Sequence, residues 1–344
     1  MGAYYQERLI PNREKSAHCS SIIELPNGNL MVSFYAGSAE ANLDTKIYTC
    51  IYDKIKQKWE IPQVRLDIPN QSQGNAVLFI NRKNRIYLFN NSIHREWRKF
   101  PRLWNWALTD NKFMYSDDLG ETWSENSPLF PNKIGWNFKN KAIYLEDGTV
   151  LFSMYDDFYF KSYILISKDD GKNWEISEPI EISPHPSTIK DYFFQLVDKL
   201  IPIYGNIQPS LIEKNNGDIL AYLRPKNLNK ILLSISKDGG KTWSDTEKTS
   251  LKNPQSGIDA VKLANGNFVL VYNKSENSRS VLNLILSEDE GKTWGFEKIL
   301  EQEKGEEFSY PAIIQDKEGF IHITYTYKRE CIKHIKISEE WITS

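Results

Sequence analysis

Ser116-Asp117-Asp118-Leu119-Gly120-Glu121-Thr122-Trp123 is the first of four copies of one octet in a chain of 344 residues. The others run from Ser167 to Trp174, Ser236 to Trp243 and Ser287 to Trp294, and all four read S-x-D-x-G-x-(T/N)-W. Trp59 and Trp341 extend the series, so that the six tryptophans stand 64, 51, 69, 51 and 47 residues apart. A recurring period of about 50 residues signals a repeat architecture. Within the octet, an Asp that accepts local backbone N–H groups and a Gly that tolerates positive φ make a tight turn, with the Trp as an apolar plug beneath it. One active site has no use for four copies, so the octets read as structure.

A second marker keeps phase with the first. Gly28, Asn84, Gly148, Gly217, Gly266 and Gly319 each stand between two alternating apolar runs, for example Ser21 to Leu25 and Leu30 to Phe34 around Gly28. Strand, turn and strand make a hairpin; a third strand, the octet and a fourth strand complete the unit. Six four-stranded units arranged radially predict an all-β fold, a six-bladed β-propeller formed by residues 1–344 as a single domain. The sixth unit has no strand beyond Trp341, and Ala3 to Ile10 is the run available to close it. Two long insertions, Ser92 to Asn111 and about Ser177 to Asn206, interrupt the period. The first mixes Arg and Lys with Trp97, Trp104 and Trp106 and is predicted to wall a sugar site.

Composition narrows the function. A net charge of −2 and 26% charged residues give no global pull toward nucleic acid or an acidic membrane surface. No run is long enough to span a bilayer, and no signal peptide opens the chain, which predicts a cytoplasmic protein, or a secreted or periplasmic one if such a signal has been removed. Cys19, Cys50 and Cys331 lack metal or redox spacing. No ligand spacing implies a metal, no cofactor is called for, and the adjacent Asp156 and Asp157 read more readily as solvated carboxylates than as a calcium site.

In a propeller the innermost strands start around a central depression, on the face opposite the octets. This register brings His18, Asn75, Asn140, Lys141, Gln208, Asp259 and Tyr310 to the axis from strand starts. Strand ends and following loops add Asp44, Tyr155, Arg224, Asn273, Arg279, Tyr327 and Arg329. Three arginines at equivalent places in the last three units suit bidentate capture of a carboxylate. The partner expected from this set is an acidic oligosaccharide or polysaccharide.

The octets resemble the Asp-boxes of sialidase-type propellers, and the resemblance runs the length of the chain. It implies that Arg224 and Arg279 match two carboxylate-clamping arginines, that Tyr310 matches the nucleophilic tyrosine, and that Asp44 is a weaker match to the acid/base aspartate. Two positions depart from the pattern. Ser16-Ala17-His18-Cys19-Ser20 replaces the Arg-Ile-Pro motif that carries the first clamping arginine, and Gln208 stands where the glutamate that activates the tyrosine belongs. A glutamine cannot serve as that base at neutral pH. The set also resembles that of Asp-box lyases, which act on uronic acids by β-elimination with His, Tyr and Arg. On that likeness the arginines neutralise the carboxylate, while Tyr310 or His18 moves the proton. The expected function is therefore cleavage of a glycosidic bond beside a carboxylate-bearing sugar, by elimination. Sialoside hydrolysis and glycan binding without catalysis are the alternatives.

Overall fold

The computed structural model describes residues 2–94, 106–182 and 204–344. Six antiparallel sheets follow one another along the chain, and each is a four-stranded blade. Blade 4 is the plainest, with strands Gly205–Glu213, Ile219–Lys226, Lys230–Ser236 and Glu247–Lys252 hydrogen-bonded in that order. In blade 3 the innermost position is shared by two short strands, Trp136–Phe138 and Ile143–Tyr144, and in blade 1 the outermost by Lys58–Trp59 and Gln63–Leu66.

Closure follows the expected route. Tyr5–Ile10 pairs antiparallel with Cys331–Ile337, from Tyr5 opposite Ile337 to Ile10 opposite Ile332, and so becomes the outer strand of blade 6. Apolar packing completes the ring in the same way. Rather than one central core there are six clusters, one at each seam between neighbouring blades. Ile10, Phe34, Ala312 and Ile332 belong to the seam that joins blades 1 and 6. Alternation of apolar residues along each strand feeds both faces of a blade, and each face is covered by a neighbour. The axis is left to polar side chains.

The four octets fold alike. In the first, the Ser116 hydroxyl donates to Asp118 Oδ1 (2.7 Å) and accepts from Gly120 N (2.8 Å). Asp118 also takes the Thr122 amide (2.9 Å) and hydroxyl (2.5 Å). Each octet glycine lies against an inner strand of the preceding blade, the first strand at Gly171 and the second at the other three: a Cβ on Gly120 would stand 2.5 Å from Met31 Cε, and one on Gly291 2.3 Å from Tyr222 Oη. The octets therefore lock blade to blade as well as turning the chain.

Three details differ from the expectation. Trp341 lies on a short helix, Glu339–Thr343, and packs on Tyr5 with ring centroids 4.9 Å apart, so it seals the closing strand instead of plugging a turn. Both insertions are shorter than predicted. Strands Ile86–His94 and Thr109–Ser116 continue their ladder up to Ile93 opposite Thr109, and the other insertion is trimmed by Ile180 bridging to Ser162 and by the strand that begins at Gly205. Most of what remains of them, including Trp97 and Trp104, falls outside the described residues. No helix among the described residues is long and apolar enough to cross a membrane.

Candidate active site

The innermost strands are not regular. Register slips by an extra residue between His18 and Ser21, Gly74 and Val77, Ile207 and Ser210, and Ser309 and Ala312. Within these bulges Cys19, Asn75, Gln208 and Tyr310 take left-handed backbone angles, with φ between 48° and 59°, and Asn140 does so at 69° in the gap of blade 3. Such a conformation costs a non-glycine residue about 1–2 kcal/mol, and bulges of this kind re-aim side chains. Here the side chains meet at the axis.

They form one connected set. Cys19 Sγ lies 3.5 Å from Asn75 Oδ1, and the Asn75 and Gln208 amides both donate to Tyr155 Oη at 3.2 Å. Arg224 Nη1 donates to Gln208 Oε1 (3.2 Å) and to Tyr310 Oη (2.5 Å). Asn140 ties the floor together by donating to the carbonyls of Gln208 and Pro209, both at 3.0 Å. Blade 5 contributes the backbone of Gly257, against which a Cβ would lie 3.3 Å from Gln208 Oε1 and 3.5 Å from the Tyr310 ring.

Cations crowd this tyrosine. The guanidinium groups of Arg224 and Arg279 stand 5.6 and 5.5 Å from its ring centroid, and the Lys139 ammonium 6.0 Å. Lys139 is 1% exposed, and its recorded hydrogen-bond acceptors are neutral oxygens, Asn140 Oδ1 and the Pro311 carbonyl, both at 3.3 Å. Arg279 and Arg329 share Glu307, at 3.2 and 3.0 Å, and Arg329 also pairs with Glu40 at 2.8 Å. Burial works against the Glu307 charge, but Arg329 and Arg279 hold its carboxyl below the usual range. The Arg329 carbonyl accepts from Ala17 N at 3.0 Å, so the backbone of this blade 6 arginine lies beside the strand start where a blade 1 arginine is missing, while its guanidinium pairs with Glu40 and Glu307.

His18 packs against the same tyrosine, with ring centroids 4.3 Å apart, and is 1% exposed. Its Nδ1 lies 2.7 Å from Thr326 Oγ1, which also accepts from Cys19 N, while its Nε2 is buried without a partner. Burial, reinforced by Arg329, Arg279, Lys139 and Arg224, pushes the His18 pKa well below the ordinary value. The imidazole is thus neutral.

Other expected residues do different work. Lys141 and Asp259 pair with each other at 2.9 Å. Asp259 further accepts from Ser210 Oγ and the amides of Ala260 and Ile313, so the pair bolts blades 3, 4, 5 and 6 together and has little left for a ligand. Asn273 donates to the Val281 and Phe308 carbonyls, and Tyr327 packs on Phe308. Asp44 is exposed, and its two oxygens accept from Ser38 N and Oγ, so it caps its own loop. Trp104 lies outside the described residues; Trp106, from the same insertion, fills the space beside Gly74, and its ring lies 6.3 Å from Tyr35.

Lys139, Glu40 and Glu307 escaped the sequence reading, which took Asp157 for a solvated carboxylate. The first is adjacent to a predicted axial residue, so register alone pointed near it; the glutamates are recognisable only through arginines distant in sequence. Asp157 is half-buried and accepts from Asn137 Nδ2 at 2.7 Å. Burial and the neighbouring Asp156 raise its carboxyl to about 7, against the opposing pull of Arg224 and Lys226. Asp156 turns the other way and caps the amides of Phe158 and Tyr159, so the two carboxylates do not converge.

Comparison with known proteins agrees with this architecture. Residues 28–323 match the family described as the BNR repeat-like domain. A sialidase of Paraclostridium sordellii is 29% identical over 158 residues, 40% of this chain and 32% of that protein, so the match takes in about a third of the relative's length. Among solved structures, a protein of unknown function from Dyadobacter fermentans superposes with a TM-score of 0.77 at 17% identity, over 98% of this chain and 99% of the other. The intramolecular trans-sialidase of Ruminococcus gnavus, solved with oseltamivir carboxylate, gives 0.74 at 14% identity, with 98% of each chain covered. At such identities the likeness speaks for the fold.

Proposed function

The chain belongs to the BNR repeat-like domain family, and on that premise we propose that it is an enzyme that cleaves the glycosidic bond beside a carboxylate-bearing sugar, by β-elimination at a uronate. The observation that carries this reading is the contact of Arg224 with Tyr310 Oη at 2.5 Å, with neutral His18 against the ring and an amide, Gln208, in place of a base. Arg224, Arg279 and Arg329 neutralise the sugar carboxylate and so acidify the neighbouring C5 hydrogen. Tyr310, half-buried, meets the substrate; His18 lies buried behind it. In the tautomer whose Nδ1–H donates to Thr326, His18 Nε2 is a free proton acceptor. Tyr310 Oη takes the C5 proton as its own proton passes to His18 Nε2, the C5–H electron pair forms the C4–C5 double bond, and the C4–O bond breaks with its pair left on the oxygen. No carboxylate nucleophile or activator is needed.

Hydrolysis of sialosides is the second reading, favoured by the sialidases among the relatives and by the three guanidinium groups. It requires Tyr310 to act as nucleophile while Gln208 cannot take its proton. Incubation with 4-linked uronate oligosaccharides and, separately, with sialosides distinguishes the two. Elimination yields a product in the ultraviolet band of unsaturated uronates; free sialic acid without such a product would sink the elimination reading, and silence with both substrates would leave a glycan-binding propeller.

A further inference from the structure

Cleavage of either kind leaves an oxygen that needs a proton. The resemblance would give that task to Asp44, yet both Asp44 oxygens are committed to Ser38, at 3.0 and 2.9 Å, in an exposed loop. Another carboxyl lies in the field of Arg224. Asp157 opens the turn after the second strand of blade 3, Val150–Asp156, two residues beyond the axial Tyr155. This turn packs onto the strand ends of blade 4: the Phe160 carbonyl accepts from Asn206 N at 2.9 Å, and the Lys226 ammonium lies 4.4 Å from the Phe160 ring centroid.

Asp157 is held firmly. Asn137 Nδ2 donates to its Oδ2 at 2.7 Å, and the same nitrogen also donates to the carbonyls of Trp106 (2.8 Å) and Gly135 (3.0 Å). Asn137 Oδ1 accepts from Thr109 Oγ1 at 2.8 Å, which fixes the amide's orientation. Among the described residues, no hydrogen bond reaches Asp157 Oδ1. The charged groups in its field are Arg224 and Lys226 from blade 4 and Asp156 on its own turn. Arg224 in turn touches Tyr310, so one guanidinium acts both on this carboxyl and on the reacting tyrosine.

Resting on the cleavage reading above, we propose that Asp157 is the proton donor to the departing glycosidic oxygen. As the carbon–oxygen bond breaks, its electron pair stays with the oxygen, which takes the proton from Asp157 Oδ1. The carboxylate left behind is stabilised by Arg224 and Lys226 and regains a proton from water. A carboxyl raised to about 7 keeps its proton on about half of the molecules at neutral pH, where an ordinary aspartate is ionised, and releases it readily.

A donor is revealed by its leaving group. Asp157→Asn and Asp157→Glu should be assayed on substrate pairs that differ only in the departing oxygen, a sugar hydroxyl or an acidic aryl oxygen, built on a uronate and on a sialoside. Asp157→Asn should lose about 10²–10⁴-fold on the sugar leaving group and less than about tenfold on the aryl one, which departs without help. Asp157→Glu should recover part of the loss. Wild-type turnover of the sugar substrate should fall as pH rises through about 7, and that limb should vanish in Asp157→Asn. Equal losses on both leaving groups, or no loss, in a wild type that turns over would overturn the donor and leave the cleavage reading standing. A wild type inert toward every pair would overturn both.

Discussion

On the octet face the same side chains make the same hydrogen bonds four times, whereas around the axis the five left-handed positions carry four different residue types, at Cys19, Asn75, Asn140, Gln208 and Tyr310. Both faces are built from a device that recurs blade after blade. On one the device is closed, because Ser, Asp and Thr or Asn satisfy one another within a single turn. On the other it is open: a bulge turns a side chain inward and leaves its partner to be supplied by another blade. Arg224 reaches from blade 4 to Tyr310 on blade 6, and Arg329 from blade 6 to Glu40 on blade 1. Repetition makes the frame, and divergence at a repeated position makes the site.

This contrast can be broken by experiment. Tyr310→Phe should lower turnover by about 10²-fold or more, since it removes the group that Arg224 contacts, while the melting temperature stays close to wild type because the ring remains. A large fall in melting temperature would make the axial set part of the frame. Ser116→Ala should do the reverse. It leaves the buried Gly120 amide without its acceptor at a cost of about 1–3 kcal/mol, with turnover per folded molecule unchanged. Denaturant unfolding combined with activity per folded molecule tests this, and a matching loss of turnover would join the two faces.

The smallest effect is a difference of sign in acid. Thr122, Asn173, Thr242 and Thr293 draw Asp118, Asp169, Asp238 and Asp289 down to about 2, so the octets' contribution is present above the ordinary carboxyl pKa of about 4 and lost as pH falls toward 2. Asp157 behaves oppositely: its raised carboxyl favours the fold at low pH, and that contribution is lost as pH rises from about 4 through about 7. Melting curves of wild type and Asp157→Asn should therefore separate over the upper window, with the variant gaining relative to wild type as pH rises. Curves that stay parallel there would contradict the assignment.

The period, the turn residues and the closing strand were legible because each is a local pattern with a fixed spacing. Tyr310, Gln208 and Asn75 were reached by counting back from the hairpin turns, and their bulges lie at the expected places. Counting fails where a blade departs from the others. In blade 5 it gave Asp259, a buried anchor, while the surface of the depression there is Gly257. In blade 1 it gave His18, whereas the left-handed residue is its neighbour Cys19. Glu40 and Glu307 were not legible because an ion pair between residues 40 and 329 has no signature along the chain. Asp157 was read as a solvated carboxylate, since the hydrogen bond from Asn137 arises only once the strands of blade 3 pair, and burial only once its turn packs on blade 4.

The pairing of Tyr5–Ile10 with Cys331–Ile337 sets an order on synthesis. The strand that leaves the ribosome early waits, with its hydrogen-bonding edge uncovered, until the strand made more than 300 residues later arrives. A contact so distant in sequence is slow to form, and the waiting edge is open to wrong partners, including a neighbouring nascent chain. Charge on that segment offers a safeguard: Glu7 and Arg8 stand among its apolar residues, and Lys333 on the late strand reaches Glu7 at 2.9 Å once the two meet. The last step of folding is thus also the step that brings blade 6, with Tyr310 and Arg329, against blade 1.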